Sequence, residues 1–149
     1  SQGGLVAALT AAQMPETVNG LVLLYPALCI PDAARGGEML WLKFDPSHIP
    51  EKMHAGPMPL GRRYAADVMN MDAFRQIAGY SGKVLLLHGD RDTIVDISYA
   101  EKAESVYRAA GADVRFVVIP GGKHIFRKPS QIRQATQEIT AFVRKMKGE

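Results

Sequence analysis

Apolar positions along this chain follow two different periods. Three short runs, Gly20-Leu-Val-Leu-Leu-Tyr25, Lys83-Val-Leu-Leu-Leu-His88 and Val114-Arg-Phe-Val-Val-Ile119, are apolar almost throughout rather than alternating. That is the pattern of strands buried on both faces, as in a parallel sheet. The stretches between them carry apolar residues three and four apart. Gly3 to Met14, with Leu5, Val6, Leu9 and several alanines, predicts a helix stopped by Pro15. Asp96 is placed to cap a helix from Ile97 to Ala110, with Gly111 at its C′ position. A last helix is predicted from about Ser130 to Lys147, with Ile132, Ala135, Ile139, Phe142, Val143 and Met146 as its apolar stripe. Strands alternating with helices imply an α/β fold whose parallel sheet is covered on both faces.

Residues 27 to 77 break this rhythm. They hold Pro31, Pro46, Pro50, Pro57 and Pro59 together with Gly36-Gly37, Gly56 and Gly61. Met39, Leu40, Trp41, Leu42, Phe44, Met53 and Met58 give the segment apolar content without a sheet period. Such a stretch is too apolar for a solvated linker. It reads as an inserted, mostly helical cap, with helices from Arg62 to about Asn70 and from Asp72 to Ile77. The expected organisation is a core from residues 1–26 and 78–149, interrupted by a cap over 27–77.

Composition narrows the class of molecule. At 149 residues, 47% hydrophobic and 22% charged, the chain matches one globular domain and has no apolar run long enough to span a membrane. The net charge of +3 comes with a late cluster, Arg127, Lys128, Arg133, Arg144, Lys145 and Lys147. Without interleaved aromatics this reads as a solvated helix face, so no nucleic-acid partner is expected. Cys29 is the single cysteine, which excludes an internal disulfide and favours a reducing compartment. No metal-binding spacing, phosphate loop or dinucleotide fingerprint occurs, so neither metal nor cofactor is expected.

In a parallel sheet the useful loops leave the carboxyl ends of the strands. After the second strand comes Gly89-Asp90-Arg91-Asp92-Thr93-Ile94-Val95, and after the third Gly121-Gly122-Lys123-His124. The chain opens Ser1-Gln2-Gly3-Gly4 directly before a helix, which matches the second half of a G-x-S-x-G strand-to-helix turn. The order Ser, Asp, His is then one of the known orders of a catalytic triad. A serine hydroxyl needs a neutral imidazole to take its proton, and the imidazole needs a carboxylate to fix its tautomer. Ser1 is read as nucleophile, His124 as base and Asp92 as its orienting acid, with Asp90 the rival for that place. The backbone N–H of Gln2 is the expected oxyanion donor. His88 is read as packing at a strand end, His48 and His54 as cap surface. Cys29 has no paired histidine at a fitting place.

The combination Ser1-Gln-Gly-Gly, His88-Gly-Asp-Arg-Asp92-x-x-Val and Pro120-Gly-Gly-Lys-His124 resembles the serine esterase branch of the α/β-hydrolases. Tyr25-Pro-Ala-Leu-Cys-Ile-Pro-Asp-Ala-Ala-Arg-Gly-Gly-Glu, with Leu42-Lys-Phe-Asp-Pro and Ile49-Pro, is similar to the cinnamoyl and feruloyl esterases of gut and rumen bacteria. The resemblance implies the C-terminal portion of an α/β-hydrolase fold and hydrolysis of hydroxycinnamate esters. It implies a small aromatic ester as the substrate, with Tyr25, Met39 and Trp41 among the pocket residues. It also implies a strand and an oxyanion loop ahead of Ser1, some 100 further residues within ordinary domain sizes. A homo-oligomer, or association with that missing half, is expected, in a bacterial cytoplasm. A lipase-like or peptidase-like hydrolase and a non-catalytic fragment are the alternatives.

Overall fold

The computed structural model describes residues 1–39, 42–55 and 58–149. In chain order the elements are α1 (Gln2–Gln13), β1 (Gly20–Leu24), α2 (Ile30–Arg35), β2 (Glu38–Met39), β3 (Leu42–Lys43), β4 (Lys52–Ala55), β5 (Met58–Gly61), α3 (Arg62–Met69), α4 (Ala73–Ile77), β6 (Lys83–Gly89), α5 (Ser98–Ala109), β7 (Asp113–Ile119) and α6 (Pro129–Lys147). They divide into two units, one of residues 1–28 and 74–149, the other of residues 29–73.

The first unit is built on a sheet of order β1-β6-β7, parallel throughout. Leu21 lies beside Val84, Leu23 beside Leu86 and Leu86 in turn beside Phe116. Successive side chains point to opposite faces, so each strand serves two cores. On one face Val22, Leu24, Leu85, Leu87, Val117 and Ile119 pack with Ala135, Ile139 and Phe142 of α6. On the other lie Leu21, Leu23, Val84 and Leu86, the face that α1 and α5 cover. Leu23, Leu85, Leu86 and Leu87 are fully buried. Each contributes about 1.5–3 kcal/mol of burial free energy, which is why a run with no polar break folds as the centre of a sheet. The parallel register sends the exits of all three strands to one side.

Details at element ends differ from the expectation by a residue or so. The helix after β6 starts at Ser98 with Ile97 as its cap residue, so Asp96 is not the N-cap. Its carboxylate instead accepts the Ser98 N–H at 2.9 Å in an Asx turn just ahead of the helix. Gly111 follows α5 at φ +85°, the left-handed stop that was expected. Within the α6 stripe Ile132 and Val143 are exposed, and the inward face is carried by Ala135, Ile139 and Phe142.

The unit of residues 29–73 is not mostly helical. Beside α2 and α3 it holds two antiparallel pairs, β2 with β3 and β4 with β5. These strands are two to four residues long, too short to display a period of two, and only pairing across a hairpin defines them. The helix α3 lies where the sequence placed it, from Arg62 to Met69. The unit has its own core of Ala34, Met39, Met53, Ala65 and Val68, with Ile30, Leu42, Phe44, Ile49, Leu60 and Tyr64 against it. The Arg35 guanidinium donates at 2.9 Å to the carbonyls of both Met69 and Met71, tying α2 to the end of α3.

Candidate active site

Two loops at the strand exits meet because two glycines let them. A Cβ on Gly122 would lie 2.9 Å from both the Gly89 Cα and the Ile119 carbonyl oxygen, and one on Gly89 would collide with the backbone of Gly122. Only hydrogen fits at both places, so Gly89-x-x-Asp and Gly121-Gly-x-His are the spacing that a backbone contact demands. The Arg91 N–H donates to the Gly122 carbonyl at 2.9 Å and locks the two loops together.

The consequence is a buried Asp–His pair. His124 Nδ1 lies 2.9 Å from Asp92 Oδ2, with the carboxylate fully buried and the histidine side chain 12% exposed. The other carboxylate oxygen, Oδ1, accepts the N–H groups of Ile94 at 2.9 Å and Val95 at 3.0 Å. Burial by itself would raise the Asp92 carboxyl, but the Val95 and Ile94 N–H groups and the His124 ring outweigh it and hold the group below its ordinary value. The pair is therefore an ionised acid with one oxygen clamped by its own loop and the other turned to an imidazole. Asp90, the rival, has an exposed side chain outside this network.

His88, a strand-end packing residue by its sequence, is fully buried. Its Nε2, however, lies 2.9 Å from the Val95 carbonyl and 3.2 Å from Asp92 Oδ2. The sequence carried only one signal of this, a polar residue ending an otherwise apolar strand. His48 is exposed and joins Asp45 and Ser47 in a local turn, as expected of a surface residue.

Tyr25 sits at the exit of β1 with φ +38°, a left-handed conformation costly for a bulky residue. Its N–H still extends the ladder to the Leu87 carbonyl at 2.7 Å. The turn aims its ring at the site. The ring centre is 5.0 Å from that of His124 and 5.1 Å, edge-on, from that of Phe126. Ser1 adjoins the same exit. Its ammonium donates to the Leu24 carbonyl at 3.1 Å, and its carbonyl accepts the Ala27 N–H at 3.0 Å. Gly4 explains how the helix start comes so close, since a Cβ there would lie 2.9 Å from Pro26. Ser1 is the cap residue of α1 and Gln2 its first member, so the Gln2 N–H belongs to the turn whose donors have no acceptor within the helix.

Of the expected pocket residues, Tyr25 reaches His124. Met39 does not line an open surface: it is 4% exposed and fills the core of the second unit. Trp41 lies outside the described residues. Two exposed apolar residues not singled out in the sequence neighbour the pair along the chain, Ile94 at 58% and Ile125 at 53% exposure. Among the described residues no cluster of His, Cys, Asp and Glu could hold a metal, and no helix is long and apolar enough to cross a membrane.

A parallel sheet with flanking helices, and an Asp–His pair at its strand exits, define the α/β-hydrolase fold. The profile of the prolyl oligopeptidase family matches residues 1–149, and the chain belongs to that family. The structure of Est1E from Butyrivibrio proteoclasticus with ferulic acid bound is similar at a TM-score of 0.90 and 30% identity, over all of this chain and 58% of that one. A second structure of Est1E matches at 0.89 and 30%, over all of this chain and 60% of that one. The esterase domain of a Rhodothermus marinus protein shares the fold at a TM-score of 0.70 and 19% identity, over 97% of this chain and 58% of that one. The chain thus spans about three fifths of the length of these relatives. Among curated proteins there is no match.

Proposed function

We propose that the protein is a serine hydrolase that cleaves carboxylic esters through an acyl-enzyme, with hydroxycinnamate esters as its substrates. The observation that carries this reading is the 2.9 Å contact from His124 Nδ1 to the buried Asp92 Oδ2. A carboxylate only accepts, so Nδ1 carries a hydrogen and Nε2 is left with the lone pair that a general base needs. His124 then takes the proton of the Ser1 hydroxyl as the oxygen attacks the ester carbonyl. Asp92 stabilises the imidazolium that forms. The Gln2 N–H, the amide after the nucleophile, serves in this reading as one donor to the developing oxyanion. His124 returns its proton to the departing alkoxide, and water repeats the sequence on the acyl-enzyme.

The aromatic acyl group is supported by the likeness to Est1E with ferulic acid bound, at 30% identity. It is also supported by the Tyr25 ring against His124 and the exposed Ile94 and Ile125 on the two loops. A peptidase is the second reading, favoured by the family to which the chain belongs. The test is a substrate panel on the full-length protein: methyl ferulate, a short p-nitrophenyl ester, a monoacylglycerol and an aminoacyl-proline anilide. The expected result is the highest kcat/KM on methyl ferulate, abolished by His124→Ala. Preference for the anilide would replace the ester reading with the peptidase one. Activity unchanged in His124→Ala would remove both.

A further inference from the structure

His88 is buried, polar and unused by the mechanism above. It stands at the end of β6, the middle strand of the sheet, with its backbone in register with Val118 of β7. Its side chain is fully enclosed, and Nδ1 has no hydrogen-bond partner among the described residues. An apolar residue of similar volume would fill the space without leaving a ring nitrogen buried and unpaired, which is costly for such a group. What the ring provides instead is on its other side. Nε2 lies 2.9 Å from the Val95 carbonyl, and a carbonyl only accepts, so Nε2 carries a hydrogen. The Val95 N–H in turn holds Asp92 Oδ1 at 3.0 Å, and the same Nε2 lies 3.2 Å from Asp92 Oδ2. One imidazole thus ties the loop that grips the first carboxylate oxygen and also abuts the second, the oxygen that faces His124.

We propose that His88 is a positioning residue that anchors the Asp92 carboxylate to the sheet and holds Oδ2 in the direction of His124 Nδ1. The two amides that clamp Oδ1 belong to the loop of Asp92 itself and move with it, and the backbone bonds that tie this loop to Gly89 and Gly122 hold its main chain rather than the direction of the carboxylate. His88 can, because its backbone is paired within the middle strand. The Asp92–His124 contact then inherits the rigidity of β6, which is what a catalytic pair needs to stay within a fraction of an ångström of its working geometry. This role rests on the reading of Asp92 and His124 as acid and base.

The test compares two side-chain amides in the full-length protein. The Gln amide nitrogen reaches from Cβ about as far as Nε2 does, and the Asn nitrogen only as far as Nδ1. His88→Asn is expected to lower kcat on a short p-nitrophenyl ester about tenfold or more with KM within about twofold, and His88→Gln to restore most of it. The low-field proton resonance of His124 Nδ1, read without substrate, is expected to shift or broaden in H88N and to persist in H88Q. Parental kcat and resonance in folded H88N would overturn the proposal. So would equal losses in both variants accompanied by equal falls in Tm, the mark of a merely structural residue. If H88N does not fold, H88Q decides alone: a kept resonance and kcat support the role, and loss of both with an intact near-UV spectrum overturns it. His124→Ala separates the two levels. Activity that survives it defeats the acid–base reading, whereas the resonance in H88N still reports whether His88 places Asp92.

Discussion

Both oxygens of Asp92 are committed, one to the amides of Ile94 and Val95 and the other to His124, and this makes the residue sensitive in two separable ways. Asp92→Asn keeps the shape but presents either a neutral oxygen or an N–H to His124. An N–H there would favour the tautomer with its hydrogen on Nε2, which cannot accept the serine proton. A loss in kcat of about 10⁴ is expected, measured on the ester substrate with the fold checked by circular dichroism. The second effect concerns stability. The folded protein holds the Asp92 carboxyl below its ordinary value, so ionised Asp92 favours the folded state at every pH above about 3.9. That contribution fades as the pH falls through the lowered folded-state value. Urea midpoints taken from pH 7 down to pH 3 are therefore expected to drop more in the parent than in Asp92→Asn. Equal slopes would mean that the network around the carboxylate is not maintained in solution.

At the scale of elements, the site depends on how closely two loops can approach. Gly122→Ala would push a methyl group into the Gly89 Cα and the Ile119 carbonyl, and the backbone of both loops must yield. Overpacking of this kind costs about 1–3 kcal/mol, so a lowered Tm together with a weakened Asp92–His124 contact is expected. Within the unit of residues 29–73, Arg35→Ala removes the donor shared by the Met69 and Met71 carbonyls. The side chain is 45% exposed, so the expected cost is only about 1 kcal/mol. Hydrogen exchange should show it within residues 29–73 and not in the three-stranded sheet. These two places also mark what could be read from the sequence. β1, β6, β7 and the long helices were legible because each buries enough apolar side chains to impose a period. So was the contact of His124 with Asp92 rather than Asp90, since in the Gly-x-x-Asp-x-x-Val pattern the second acid sits deeper in the loop. The two hairpins of residues 29–73 were not legible, because strands of two to four residues are defined by their partners alone. Nor was the duty of His88, whose contacts form only when the Asp92 loop folds back over the end of its own strand.

For the whole molecule, the two units differ in how completely they satisfy themselves. The unit of residues 29–73 closes its core with its own helices and hairpins. The three-stranded sheet does not close. β1 pairs with β6 on one side, and among the described residues its other side meets no strand. At the far end of that edge the Ser1 ammonium takes the Leu24 carbonyl, but Gly20 to Leu24 contain no proline or charged side chain to discourage pairing with another strand. Natural proteins blunt such edges with charges, prolines, bulges or a covering segment, and an apolar edge left open is a template for association. The 149-residue chain expressed alone is therefore expected to self-associate through β1, pairing the same edge of two copies or recruiting further strands. Size exclusion with light scattering at micromolar concentration measures this directly. A dimer or larger species is expected. The Tyr25 N–H meets β6 and the Leu24 carbonyl faces the open edge, so by alternation the Val22 N–H also lies on that edge, and Val22→Pro is expected to weaken the association by removing it. A stable species of 16.3 kDa for the unmodified chain would overturn the expectation and would mean that part of the chain itself covers the edge.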